Sequence, residues 1–328
     1  MRNKLLTGLL CLSMVFGLCA CGSTSEKVEE TTTSKESAAS VENGSLSAES
    51  AVVSVGKTTV SYDEYRVYNY LMKNQYRDIF DDSVWGYAGN DMEDSIGQEA
   101  VMDVVRLIIQ VKVICKAAAT QGVELAADEK EEADHSATEY CEGISDEEKT
   151  QNGISQNVMS RIFEENKLAD KMYRVVTGKV DVNVTKDQSK AVRLQLIYLK
   201  AGADDKEAVR ANAQALLEQA KALQGNFYNF ASENTQADEV ESLVGQMDSR
   251  ENLVANTIGL KQGTLSGVVE ESDGFYIAYC VEAAGNSLAK EYKNQVIEER
   301  QTKAFQESYA EWAKNYSVRV SKSLLVRE

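Results

Sequence analysis

The chain has 328 residues, 43% of them hydrophobic, with 35 Lys and Arg against 52 Asp and Glu, for a net charge of −17. That length suits about two domains plus a tail. The charge excludes partners held through phosphates, because nucleic acid and anionic lipid headgroups are both repelled. Proline is absent, where average usage of about 5% predicts roughly sixteen. The chain's own folding is therefore free of slow prolyl isomerisation, although drift in a helix-rich composition accounts for the absence equally well.

The first predicted element is a secretion signal. Arg2 and Lys4 precede an apolar run, Leu5 to Leu18, which ends in Leu18-Cys19-Ala20-Cys21. The run is too short and wrongly flanked for a membrane-spanning helix. Small residues ahead of a cysteine, directly after an apolar core, resemble the lipobox of bacterial lipoproteins. The resemblance implies cleavage before Cys21 and a diacylglyceryl group on its thiol. The alternative is an ordinary secretory signal with incidental cysteines. Cleavage removes Arg2 and Lys4 and no acid, so charge cannot hold the mature chain on a membrane and lipid must. One acyl chain anchors only marginally, and the lipoprotein modification supplies more than one. The expected location is extracytoplasmic, on the outer face of a bacterial cell membrane. Residues 21–50, rich in Ser, Thr, Glu and Ala, then form a lipidated disordered tether with a reach of roughly 30 Å.

Val52 to Val60 predicts a short hairpin turning at Gly56-Lys57. Ser61, with Glu64 three residues later, predicts a helix N-cap, and Tyr65, Tyr68, Leu71 and Met72 follow at helical spacing. Residues 98–120 predict a helix that is apolar on more than one face, hence central to a bundle, and Gly122 ends it. The acidic stretch 126–150 predicts an exposed helix, and 155–177 an amphipathic one. From Val180 the pattern changes. Val192, Leu194, Leu196 and Tyr198 alternate as a strand with one well-buried face. A helix over 205–223, short helices near Phe227 and over 251–260, a strand near 266–270, a turn at Asp273-Gly274 and a strand over Phe275 to Val281 follow. Residues 287–315 return to helix. Ser317 to Val320 predicts a last strand, able to pair with Val52–Val60. The fold class is α+β.

The chemistry-bearing residues are few. His135 is the only histidine; it lies among acids on a solvated helix face, and most histidine-based triads are excluded. No Cys/His spacing suggests zinc or another metal. Of six cysteines, Cys11 and Cys19 leave with the signal and Cys21 takes the lipid. Cys115 and Cys280 read as buried free thiols, and Cys141 leaves the count odd. No glycine loop for ATP is present, and no cofactor is expected.

From Val52 to Leu325 the sequence resembles lipoprotein foldases of the SurA/PrsA type. The carriers are Val53-Ser54-Val55-Gly56-Lys57 followed by Val60-Ser61-Tyr62-Asp63-Glu64-Tyr65, and the helix ending Ala117-Ala118-Ala119-Thr120-Gln121-Gly122. Across 190–284 the carriers are Val192 to Lys200, Gly225, Phe227, Phe230-Ala231, Gly245, Leu260, Gly263, Leu265-Ser266 and Asp273 to Ile277. The resemblance implies a helical chaperone domain built from residues 51–178 and 286–328. It implies an inserted parvulin-like domain at 179–285, of the peptidyl-prolyl isomerase type. The two histidines expected of an active parvulin match Leu196 and Tyr276. Asp238 preserves a third position, and the apolar substrate pocket matches Leu253 and Ile258, with Ser249 where methionine is usual. Leu196, Leu253, Ile258 and Tyr276 are thus the implied substrate-binding residues, with Leu196, Asp238 and Tyr276 at degenerate catalytic positions.

Prolyl rotation faces a barrier of about 18–20 kcal/mol, lowered by binding the twisted imide better than its planar forms. Without the histidines that organise hydrogen bonds under the slot, efficient catalysis is not expected. The expected function is an ATP-independent holdase for unfolded or partly folded secreted proteins. Tyr65, Tyr68, Tyr76 and Trp85 would offer apolar surface to clients, with ordinary helix packing as the alternative. An active isomerase with an altered site is the second reading. A solute-binding lipoprotein would need repeated βαβ units, and none is seen.

Overall fold

The computed structural model describes residues 46–76, 93–223 and 226–325. The signal, Cys21, most of the tether, Trp85 and Gly225 lie outside this set, as does the side chain of Tyr76. The fold is mixed helix and sheet, and contacts divide it into two compact units: the residues up to Lys179 together with those from Thr302, and Val180–Gln301.

The first unit opens on β1 (Ala51–Val55) and β2 (Thr58–Ser61), antiparallel about Gly56 at φ +57°. Glycine takes that left-handed conformation without a Cβ penalty. Val52, Val53, Val55 and Val60 are buried. At the other end of the chain, β7 (Val318–Val320) pairs antiparallel with β1, Val53 opposite Val320, giving the order β2-β1-β7. The predicted pairing of the two chain ends is therefore present. The Glu64 amide donates to Ser61 Oγ at 3.2 Å, a cap worth about 1 kcal/mol. It opens α1 (Tyr62–Tyr76). Helix α2 (Glu93–Gln121) buries Val104, Val105, Ile108, Val111 and Ile114 and stops at Gly122, φ +68°.

The stretch read as one exposed acidic helix is two helices, α3 (Ala127–Glu142) and α4 (Asp146–Gln151). The first is not merely exposed: Ala133, Ala137, Tyr140 and Cys141 are buried, and α3 packs on α5 (Gln156–Thr177). Its buried stripe is made of small and half-polar residues, so its hydrophobic period is faint in sequence. Tyr65 and Tyr68 are core residues, 5% and 0% exposed. Their role is packing, and they offer no surface to a client.

Inside this unit sits a buried charge cluster. Lys112 of α2 donates to Glu64 of α1 at 2.7 Å and to both carboxylate oxygens of Glu165 on α5 at 2.6 Å. Arg161 reaches the other Glu64 oxygen at 2.7 Å. Lys112 and Glu64 are buried at 4% and 3% exposure. Burial pushes the Glu165 carboxyl above its ordinary range, against the pull of Lys112. Beside it, the Cys115 thiol donates to the Glu165 carbonyl at 3.5 Å, and burial pushes its pKa up to about 12, so it is unreactive at neutral pH. Cys115, half-buried, and Cys141 and Cys280, both buried, are all free thiols.

The second unit is a four-stranded antiparallel sheet, order β4-β3-β6-β5. Its strands are β3 (Ala191–Lys200), β4 (Glu241–Gly245), β5 (Leu265–Glu271) and β6 (Gly274–Glu282). Strand β4 has no counterpart in the predicted elements; Glu241-Ser242 opens it with polar residues, and it is short. Both faces of the sheet are covered. Ile197, Leu199, Phe275 and Ile277 pack under α6 (Lys206–Ala222) and α7 (Phe227–Asn234). Leu194, Leu196, Tyr276 and Ala278 pack under α8 (Glu251–Thr257). Strand β3 is thus buried on two faces and not one.

Helix α9 (Asn286–Ala313) is shared. Up to Gln301 it belongs to the second unit, where Leu288, Tyr292 and Val296 pack with Val184 and Ala191. From Thr302 it belongs to the first, where Phe305 is fully buried. The short helix α10 (Lys322–Leu325) ends the described chain. A Cβ on Gly245 would overlap the Tyr292 ring, and the Tyr292 hydroxyl accepts from the Met247 amide at 3.2 Å. Glycine at 245 is the seat of that ring. Gly245→Ala should destabilise the chain by about 1–3 kcal/mol, the range for overpacking, read as a lower denaturant midpoint at unchanged slope. An unchanged midpoint would mean that Tyr292 is not seated there.

Candidate functional site

The two strand positions of interest lie on β3 and β6. In the register between them Leu196 faces Ala278, and Tyr198 faces Tyr276. Side chains alternate across a strand, so Leu196, Tyr198 and Tyr276 share one face. Helix α8 covers it with Leu253 and Val254, and Ile258 packs alongside. Four of the residues singled out from sequence therefore meet in one apolar cluster: Leu196, Leu253, Ile258 and Tyr276. Leu196 is 3% exposed, Tyr276 5% and Leu253 0%. Only Ile258 is half-exposed. The cluster is a buried core layer with one half-exposed shoulder, Ile258.

The polar atoms at its margin are tied together. The Tyr276 hydroxyl donates to the Asp273 carboxylate at 3.0 Å, and the Tyr198 hydroxyl donates to the Asp273 carbonyl at 3.1 Å. The two rings stack with centroids 4.8 Å apart and planes 28° from parallel. Burial, with the Asp273 carboxylate adding to it, holds the Tyr276 phenol well above its ordinary pKa, and Tyr198 is raised for the same reasons. Neither phenol is a base at neutral pH. Arg250 lies over the Tyr276 ring at 5.7 Å. Its guanidinium makes a forked pair with Asp248, at 2.9 and 2.6 Å. The hydrogen bonds that Arg250 donates to Asp248 raise the Arg250 pKa. Burial works to raise Asp248, but the bonds from Arg250 win and hold it low. The pair is locked in its charged form.

Asp238 stands apart from this cluster. It is exposed, in the loop between α7 and β4, and lines an open hollow of about 430 Å³ with Tyr228, Ser232, Glu239 and Glu241. That loop is positioned by β3. Leu196 N donates to the Val240 carbonyl at 2.7 Å, Gln236 N to the Tyr198 carbonyl at 2.8 Å, and Tyr198 N to Thr235 Oγ1 at 3.0 Å. The loop thereby continues the border begun by β4. Ser249 is exposed.

Sequence reasoning missed Tyr198, Asp273, Asp248 and Arg250. A signal existed for the last two. The Arg250 amide donates to Asp248 Oδ1 at 2.9 Å, an Asx turn of the kind that Asp ahead of a helix start announces. Tyr198 was visible as part of the strand, but nothing in a single sequence pairs it with Tyr276. Chemically, the arrangement offers a stacked phenol pair, a charged arginine already paired with Asp248, and an apolar floor. Among the described residues no His, Cys, Asp and Glu group forms a metal site, and no helix is long and apolar enough to cross a membrane.

No family model matches the chain, and no curated protein matches it. Among solved structures it is similar to a PpiC-type peptidyl-prolyl cis-trans isomerase domain, at 24% identity and TM-score 0.28, covering 31% of this chain and 99% of that one. It is similar to the peptidylprolyl isomerase PrsA from Bacillus anthracis, at 14% identity and TM-score 0.37, covering 63% and 95%. It is also similar to a SurA-like chaperone of Campylobacter jejuni, at 10% identity and TM-score 0.30, covering 83% and 99%.

Proposed function

We propose that the chain is an extracytoplasmic folding factor, fastened to the outer face of a bacterial membrane by lipid on Cys21, that holds non-native secreted proteins without ATP. In this reading the helical unit built from both ends of the chain does the holding. Val180–Gln301 is a parvulin-like module whose isomerase site has degenerated. One observation carries the second half of the reading. The two positions that match the catalytic histidines are Leu196 and Tyr276, both inside the apolar layer under α8 and 3% and 5% exposed. A leucine cannot organise a hydrogen bond, and the Tyr276 hydroxyl is already committed to Asp273. Neither position can therefore supply the hydrogen bonds that the histidines would organise under a twisted imide.

Two assays on the soluble part, residues 51–328, test it. Cis–trans exchange of a proline peptide, followed by NMR, should show no acceleration above the uncatalysed rate. Aggregation of a reduced client lacking proline should be suppressed at stoichiometric chain. Acceleration lost on Asp238→Ala or Tyr276→Phe would establish the altered-site isomerase in its place. Failure to suppress aggregation would remove the holdase. The tether is tested separately: Cys21→Ser should abolish incorporation of labelled fatty acid and leave the chain unanchored. Label retained in that variant would move the anchor elsewhere.

A further inference from the structure

The chain passes between its two compact units twice, at Lys179–Val180 and at Gln301–Thr302. The passages differ in stiffness. The second lies inside α9, which runs unbroken through it. The first lies in irregular backbone. Helix α5 stops at Gly178, whose amide donates to the Arg174 and Val176 carbonyls, and the next regular element, β3, starts only at Ala191. Asp181, Val182 and Asn183 are all exposed, the mark of a stretch that opens easily. Two contacts hold it to α9. Val184, 5% exposed, packs with Leu288, Tyr292 and Val296. Arg300 Nη1 donates to the Asp181 carbonyl at 2.8 Å and to the Asn183 carbonyl at 3.1 Å. The Asn183 amide donates to the Asp181 carboxylate at 2.8 Å, an Asx turn that presents both carbonyls to the one nitrogen. Arg300 is one residue from the second passage, so its side chain ties the first passage to the second.

We propose that Arg300 is a conformational clasp. Closed, it fastens residues 181–183 to α9, and the two passages work as one stiff post. Open, Lys179 to Asn183 is a slack strap anchored at Val184, and α9 alone stiffens the connection. The proposal goes beyond the holdase reading and stands without it. The chemistry suits a catch that opens and recloses. A guanidinium carries five N–H donors in a planar fork, so it holds two carbonyls at once, and it stays charged throughout the pH range of a folded protein. Its acceptors are main-chain carbonyls, which do not ionise, so the clasp is insensitive to pH. Arg300 is half-exposed and both carbonyls belong to exposed residues. Water therefore competes for each bond and the net gain is small, which keeps the open form within reach of thermal motion.

The test is limited proteolysis of the full chain, with Arg300→Ala and Arg300→Lys beside it. Trypsin cuts after Lys179, which is exposed, and cleavage follows the open population when opening is faster than cutting. Loss of both bonds in Arg300→Ala should raise the yield of the fragment ending at Lys179, read by mass spectrometry, by about five- to thirtyfold. Arg300→Lys, which keeps the charge but replaces the fork by a point donor, should fall between. Cleavage after Lys167 and Lys171 of α5 and the urea midpoint should stay as they are, which separates an opened clasp from a loosened fold. In Arg300→Ala the amides of Val182 and Asn183 should also gain ps–ns motion in NMR relaxation. Unchanged cleavage and relaxation in that variant would overturn the clasp. So would cleavage that rises equally at Lys167 and Lys171, since Arg300 would then be one more stabilising side chain. Should Arg300→Ala fail to fold, the unaltered chain decides: the Arg300 Nη protons should exchange with water more slowly than those of free arginine, and equal rates would overturn the proposal.

Discussion

Lys112→Met should destabilise the helical unit by about 3–5 kcal/mol, the range for removing one partner of a buried ion pair. The reason is what stays behind. Glu64 is 3% exposed, and Glu165 points both oxygens at Lys112. With the ammonium gone, one half-exposed arginine, Arg161, remains to balance two carboxylates. Urea unfolding monitored by circular dichroism would measure the loss. The triple change Lys112→Met, Glu64→Gln, Glu165→Gln should recover much of it, because no bare charge is then buried. Glu165→Gln alone gives a sharper check of sign. Burial raises the folded pKa of Glu165 above its unfolded value, so the folded state binds that proton more readily. The group favours folding below its unfolded pKa, and this advantage is lost as pH rises through the folded pKa. Glutamine imitates the protonated form, so Glu165→Gln should be neutral or mildly stabilising at pH 7 and should flatten stability against pH. A large loss at pH 7 would show that the Lys112–Glu165 attraction outweighs desolvation.

Phe305→Ala should be as damaging, about 3–5 kcal/mol for truncating a buried phenylalanine. Phe305 is fully buried, with Tyr173 at 5.1 Å edge-on and Trp312 at 5.8 Å. The ring comes from the last forty residues of the chain, but its neighbours include α5. The variant therefore asks whether the C-terminal helix is structural to the helical unit. A loss below about 1 kcal/mol, typical of a surface site, would mean that it is not.

Much of this fold could be read from residue order alone, and the physical reason differs by element. The hairpin at Gly56, the Ser61 cap and the apolar α2 announce themselves because turn chemistry, capping and periodicity are local. The pairing of β7 with β1 was legible because Val318 and Val320 alternate in a stretch with no other partner nearby. What stayed hidden was non-local. Arg193 and Gln195 made one face of β3 look wet, and only the fold brings α6 over Ile197 and Leu199. Strand β4 is short and begins with polar residues. In the candidate site, Leu196, Leu253, Ile258 and Tyr276 could be picked out through the family resemblance, but their burial could not. The Lys112 cluster was invisible for the same reason, since its members are separated by 48 and 53 positions and none is unusual by itself.

The strand pairing between β1 and β7 sets a timetable. Synthesis runs from the N-terminus, and domains generally fold as units. Val180–Gln301 is continuous and can close as soon as its own residues have emerged. The sheet of β1, β2 and β7 must wait for Val318–Val320, so strands made early in synthesis are among the last to be completed.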